Sequence, residues 1–163
     1  IQKFCEQKLY NIDIISENKP ITAIFDIDDT LVYTDPLKNF KGDITKYHND
    51  LFLLPEIKQI VSICKLCRSQ FIKIIIITAR PIQSEKSSIA NLKMFNIPYD
   101  ELYHDDEKLK LRRKLSINNN IIFSIGDQWH DVDGMKKNSL SIKLPEEDDT
   151  NCYVIHNNTK TIL

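Results

Sequence analysis

Glycine is scarce, with three residues in 163, whereas isoleucine, asparagine and lysine are plentiful. That balance looks like coding bias from an AT-rich genome and says little about function. Surplus charge is also missing: 22 basic residues face 23 acidic ones, a formal net charge of −1. No global field therefore recruits nucleic acid or an anionic membrane. The basic residues are scattered, apart from the cluster "KLKLRRK" at 108–114. No apolar run is long enough to span a bilayer, and no secretory apolar segment is present. The expected compartment is the cytoplasm, although the chain starts at Ile1 and its beginning carries little weight. Cysteine is limited to Cys5, Cys64, Cys67 and Cys152. "CKLC" has zinc or redox spacing, but no second Cys/His pair completes a zinc site. Cys64 and Cys67 are read as core or half-buried helix cysteines in a reducing compartment.

What remains is ordinary globular material, 42% hydrophobic and 28% charged, enough for one domain over 1–163 with its own core. Phe4, Cys5, Leu9, Ile12 and Ile15 recur at helical intervals and predict an N-terminal helix within 1–18. "ITAIF" is the first strand, and 33–50 a small polar loop or insert. A helix is expected over 53–70 with Pro55 in its first turn. "FIKIIIIT" is a buried β-branched strand. Residues 83–95 form a helix with Ile89, Leu92, Met94 and Phe95 as candidates to pack on the sheet. "ELYH", a helix over 108–117, "IIFSIG" and "LSIKL" follow. Strands alternating with helices predict an α/β domain with a parallel sheet.

In such sheets ligands bind beyond the carboxyl ends of the strands. The stretch "ITAIFDIDDTLV" ends a buried strand in Asp26, Asp28 and Asp29. Like charges that close resist ionising together, so a cation, a raised pKa or an escape into solvent must resolve the crowding. Later strand ends bring Thr78 and Arg80, then Asp105 and Asp106 near Lys108, then Asp127 and Asp131. Asp26 and Asp28 are two apart and share one side of an extended backbone. One could attack phosphorus and form an aspartyl-phosphate while the other moves protons. Oxygen-only ligands such as Asp26 and Asp127 suit Mg²⁺, and Asp131, one turn further on, could hold a metal-bound water. Thr78 could bond a phosphoryl oxygen and Lys108 neutralise developing charge. Taken singly, Asp28, Asp29 and Thr30 read as turn or cap residues and Lys108 and Lys110 as solvated helix lysines. Their joint occurrence, in order and at strand ends, outweighs those readings.

"FDIDDTL", "IIIITAR", the lysine of "EKLKLRRKL" and "SIGDQWHD" resemble the four motifs of the haloacid dehalogenase (HAD) superfamily of phosphohydrolases. With the N-terminal helix and "SIKLP", the likeness is to the acid phosphatases of subfamily IIIB, a class that includes plant storage proteins. The resemblance implies a Rossmannoid three-layer sandwich. It also implies a Mg²⁺-dependent phosphomonoesterase with Asp26 as nucleophile and Asp28 as acid/base, the Asp28 carbonyl also binding the metal. Thr78, Ala79 and Lys108 would bind phosphate, and Asp127 and Asp131 serve the metal. Lys110 is the reserve for Lys108. "TARP" resembles 5′(3′)-deoxyribonucleotidases as well, which makes a nucleotidase one alternative and a non-catalytic storage relative another. A receiver domain is disfavoured by motif order. About twenty residues separate the first strand from the next helix, too few for a full cap. The site is thus expected to be capless or minimally capped, with Tyr33, Phe40, Tyr47, His48 and Trp129 as candidates for its mouth. Water would be excluded by the 33–50 loop, a partner subunit or a large substrate. The expected partner is a phosphorylated substrate, small or macromolecular, and a homo-oligomer stays open.

Overall fold

Four consecutive isoleucines, 74–77, are each at most 2% exposed, which requires a strand covered on both faces. Their side chains alternate. Ile74 and Ile76 join Ala23, Phe25, Phe123 and Ile125 in the larger apolar cluster. Ile75 and Ile77 join Ile24 and Ile121 in a smaller cluster on the opposite face. Full burial of such a side chain is worth about 1.5–3 kcal/mol, so this strand anchors both layers at once.

The computed structural model describes residues 18–34, 54–136 and 139–162, together with Lys3, Gln7, Lys41, Lys46 and Leu51. The expected N-terminal helix and most of the 33–50 segment, including Phe40, Tyr47 and His48, lie outside the described residues. In chain order the elements are β1 (Ile21–Phe25), α1 (Lys58–Ser69), β2 (Lys73–Thr78), α2 (Glu85–Met94) and β3 (Glu101–His104). Then come α3 (Lys108–Leu115), β4 (Asn120–Gly126), β5 (Leu140–Lys143), β6 (Tyr153–His156) and β7 (Thr159–Ile162). The sheet runs β3-β2-β1-β4-β5-β6-β7. Pairings from β3 through β5 are parallel, with Phe25 opposite both Ile76 and Ile125. The larger cluster takes Ile60, Val61, Ile63, Cys64 and Cys67 from α1 and Leu92 from α2. Leu111 and Leu115 of α3 pack on the smaller one. Helices on both faces of the sheet make the expected three layers. No helix among the described residues is long and apolar enough to cross a membrane.

Three details depart from expectation. First, α1 starts at Lys58, because the residues before it are committed elsewhere. The Pro55 carbonyl accepts from the Tyr33 N–H at 2.9 Å, and the Ile57 N–H donates to the Leu31 carbonyl at 2.9 Å. Glu56 bridges Val32, so 55–57 straps the turn that follows β1. Second, α2 buries Ser87, Ser88, Asn91 and Leu92 and leaves Met94 51% exposed. A buried guanidinium beneath this helix demands polar partners, and the apolar spacing gave way to them. Third, the sheet is mixed: β6 and β7 add an antiparallel hairpin beyond β5. Asn157 and Asn158, at φ of 52° and 62°, form the two-residue turn with both φ positive that matches strand twist.

Cys64 and Cys67 sit buried in the core on α1. Burial pushes the Cys64 thiol up, and the thiol donates to the Pro98 carbonyl at 3.6 Å. Between β2 and α3 the chain holds only one short 3-10 turn, α2 and β3, so no cap is inserted there.

Candidate active site

Parallel strands β1, β2 and β4 end side by side, and each releases its next residues over the same sheet edge. β1 delivers Asp26, whose N–H still pairs with the Ile125 carbonyl at 3.2 Å. β2 ends in Thr78, fully buried, whose hydroxyl accepts from the Arg80 N–H at 3.2 Å; exposed Ala79 lies between them. β4 delivers Asp127 and the one-turn segment Trp129–Asp131. From the smaller-cluster face, Lys108 opens α3 and reaches into the same place.

The centre of the site is Lys108. Its Nζ donates to Asp26 Oδ1 at 2.7 Å and to Asp131 Oδ1 at 2.7 Å. All three residues are at most 5% exposed. Burial pulls the ammonium down, but Asp26 and Asp131 outweigh that and hold it above its ordinary value. Asp26 is pushed well above the carboxylate range, first by burial and then by the nearby Asp131 charge. Lys110, two residues along, is exposed and pairs with Glu107 at 2.7 Å. The structure therefore brings Lys108 to the acids and leaves Lys110 outside.

Asp131 is placed by its backbone as much as by Lys108. Ser124 Oγ donates to its carbonyl at 2.6 Å, and the Gln128 N–H donates to Oδ2 at 3.0 Å. The approach requires Gly126: a β-carbon there would sit 2.5 Å from Asp131 Oδ2. Carboxylate oxygens of Asp26, Asp127 and Asp131 lie within 4.8 Å of one another. Burial raises the Asp127 pKa, with Asp131 adding to it. Lys108 thus meets two of the three buried carboxylates, and no cation is hydrogen-bonded to Asp127 among the described residues. An oxygen-only donor set with unmet negative charge fits a hard divalent cation.

Asp28 stands apart from that cluster. Arg80 Nε donates to both of its oxygens, at 3.1 and 2.9 Å, and Nη2 donates to Oδ1 at 2.6 Å. Nη1 of the same guanidinium is held by Ser88 Oγ at 3.3 Å and Asn91 Oδ1 at 2.9 Å. Asp29, in the left-handed region at φ 48°, accepts from the Thr34 N–H at 2.9 Å and hydroxyl at 2.7 Å. Those two bonds close the turn that follows β1. Asp105 accepts from the Glu107 N–H at 2.8 Å and caps the turn into α3; neither it nor Asp106 joins the carboxylate group. A cavity of about 750 Å³ opens beside Asp127, lined also by Asp29, Tyr33, Gln128 and Glu146.

Sequence reasoning gave Arg80 no role and missed Ser88, Asn91, Gln128 and Glu146. A signal for α2 existed in "SSIAN" (87–91), where polar residues occupy the positions that turn inward.

Residues 3–148 match the family model described as HAD superfamily, subfamily IIIB (Acid phosphatase). The fold is similar to that of the Class C acid phosphatase from Bacillus anthracis, at 21% identity and a TM-score of 0.69, covering 82% of this chain and 62% of that one. A structure of the Class C acid phosphatase from the same organism with tungstate bound is similar at 21% identity and a TM-score of 0.69, covering 85% and 64%. A chain of the Pnkp1/Rnl/Hen1 RNA repair complex is also similar in fold, at 16% identity and a TM-score of 0.57, covering 71% and 38%. The chain thus spans less than two thirds of the length of these solved structures. No curated protein matches.

Proposed function

The chain belongs to subfamily IIIB of the HAD superfamily, the acid phosphatases, and on that premise we propose that it hydrolyses phosphate monoesters with Asp26 as nucleophile. The observation that carries the reading is Lys108 bridging Asp26 and Asp131 at 2.7 Å each, with Asp127 alongside. Asp26, Asp127 and the Asp28 carbonyl would hold Mg²⁺ and Asp131 its bound water, and the cation's charge would screen the nucleophile from an anionic phosphate.

Asp26 attacks phosphorus, and the ester oxygen leaves as the aspartyl-phosphate forms. Asp28 gives that oxygen its proton and later removes one from the water that cleaves the acyl phosphate. Thr78 and the backbone at Ala79 bond the phosphoryl oxygens, and the Lys108 ammonium offsets charge as it builds on them. Lys108 is already buried and oriented, so little reorganisation accompanies the step. The substrate is a phosphorylated molecule admitted through the cavity beside Asp127, with no inserted cap between β2 and α3 to restrict its size. The presence of Asp26 argues against a storage relative that has lost its nucleophile.

Hydrolysis of p-nitrophenyl phosphate, measured with Mg²⁺ and with a chelator, tests the proposal. Activity should need the cation. Turnover indifferent to the chelator would overturn the cation-assisted mechanism.

A further inference from the structure

One buried charge is not used by the chemistry above. Lys143 is fully buried at the end of β5, where an unpaired ammonium would be strongly disfavoured. Register places it beside Gly126, the residue before Asp127. Its Nζ pairs with Glu146 Oε1 at 2.8 Å, donates to the Leu144 carbonyl at 2.8 Å and lies 5.6 Å from the Trp129 ring centroid. The other Glu146 oxygen accepts from Gln128 Nε2 at 2.7 Å. That same amide nitrogen donates to Asp127 Oδ2 at 3.0 Å.

The series therefore runs from ammonium to carboxylate to amide to carboxylate. A side-chain amide carries two N–H groups, and both are spent here on carboxylates. Reversing the amide would set its oxygen against two anions, so the orientation is fixed by the chemistry of its neighbours. With Oδ2 engaged, Asp127 keeps its other oxygen for a cation and loses freedom to rotate.

We propose that Glu146 and Gln128, anchored by Lys143, are positioning residues that orient Asp127 and thereby set the affinity of the divalent-cation site. The inference rests on the reading of Asp127 as a cation ligand. Outer partners of this kind typically change metal affinity by about 10–100-fold. Negative charge alone could also attract a cation, so the variants must separate orientation from charge. Glu146→Gln removes the charge and leaves a single acceptor oxygen, for which the Lys143 ammonium and the Gln128 amide compete. Glu146→Leu removes both charge and acceptor. Glu147→Gln removes a charge from the same cavity wall and replaces none of the residues of the series. Gln128→Leu cuts the series and leaves the Lys143–Glu146 pair intact, which keeps the test available where Glu146→Leu fails to fold.

Isothermal titration of Mg²⁺, and separately Mn²⁺, into the 163-residue chain reads the outcome without relying on turnover. Gln128→Leu and Glu146→Leu should weaken binding by about 10-fold or more, Glu146→Gln should fall between them and wild type, and Glu147→Gln should stay within a few-fold of wild type. Wild-type affinity in Gln128→Leu would overturn the proposal, as would a loss in Glu147→Gln as large as that in Gln128→Leu. Wild-type chain that bound neither cation would overturn the proposed function itself.

Discussion

Replacing Arg80 by alanine should impair proton transfer far more than phosphate binding. Three contacts run from its guanidinium to Asp28, at 2.6, 2.9 and 3.1 Å, while Ser88 and Asn91 fix its other end. The Arg80 side chain is 3% exposed and that of Asp28 33%. A charged hydrogen bond is worth about 1.5–3 kcal/mol when buried, and an exposed ion pair about 0–1 kcal/mol. An intermediate value of about 2 kcal/mol for orienting Asp28 corresponds to roughly 30-fold in rate. That loss should appear only where the leaving group needs a proton. An alkyl phosphate leaves as a strongly basic alkoxide and should show the full loss in kcat. p-Nitrophenyl phosphate leaves as a stabilised phenolate and should lose much less. Asp28→Asn should show the same selectivity, and Arg80→Lys, which keeps charge but not the planar fork, should recover part of it. The assay is kcat and KM for both substrates across the four proteins. Equal losses on both would refute the reasoning and reduce Arg80 to scaffold. No loss on either would show that Asp28 needs no such clamp.

Two further outcomes follow from the geometry. Lys108→Met should lower kcat/KM by about 10²–10³-fold, whereas Lys110→Met should leave steady-state kinetics unchanged because its ammonium is exposed and meets Glu107; matching losses would contradict the placement of Lys108. Asp100 accepts from Arg68 at 3.0 and 2.9 Å and from the Ile74 N–H at 2.7 Å. Burial works to raise its pKa, but those bonds prevail and hold it below its ordinary value. A carboxylate depressed on folding contributes stability above its unfolded pKa and loses it as pH falls through the folded value. Denaturant melts of Asp100→Asn should therefore differ from wild type at neutral pH and converge with it below the carboxylate range; a gap independent of pH would contradict this.

Where the sequence was informative, single elements carried the information. Four isoleucines in a row could only be a doubly covered strand, and acids after β1 and β4 could only share an edge once that sheet was parallel. Long-range commitments were harder to read. Pro55 looks like a helix opener until its carbonyl and the backbone of Ile57 are seen bonded to 31–33. Positions 108 and 110 differ by about 200° around a helix, and motif spacing alone cannot decide which points into the site. The polar inner face of α2 exists because Arg80 lies under it, a dependence that helical periodicity does not encode. Likewise, the Lys143–Glu146–Gln128 series depends on the β4–β5 register. The C-terminal hairpin was legible in principle, since "YVIHNNTKTI" alternates around an Asn-Asn turn, but it lies beyond the motifs that guided the reading.

In the proposed mechanism Asp26 itself carries the phosphoryl group. Rapid acid quench during turnover with Mg²⁺ and a labelled phosphate monoester, followed by peptide mapping, tests it directly. An acid-stable, hydroxylamine-sensitive adduct should form on Asp26 at a rate no slower than kcat and be missing, together with activity, in Asp26→Asn. Full turnover by Asp26→Asn, or an acid-stable adduct on another residue such as Asp28, would contradict it.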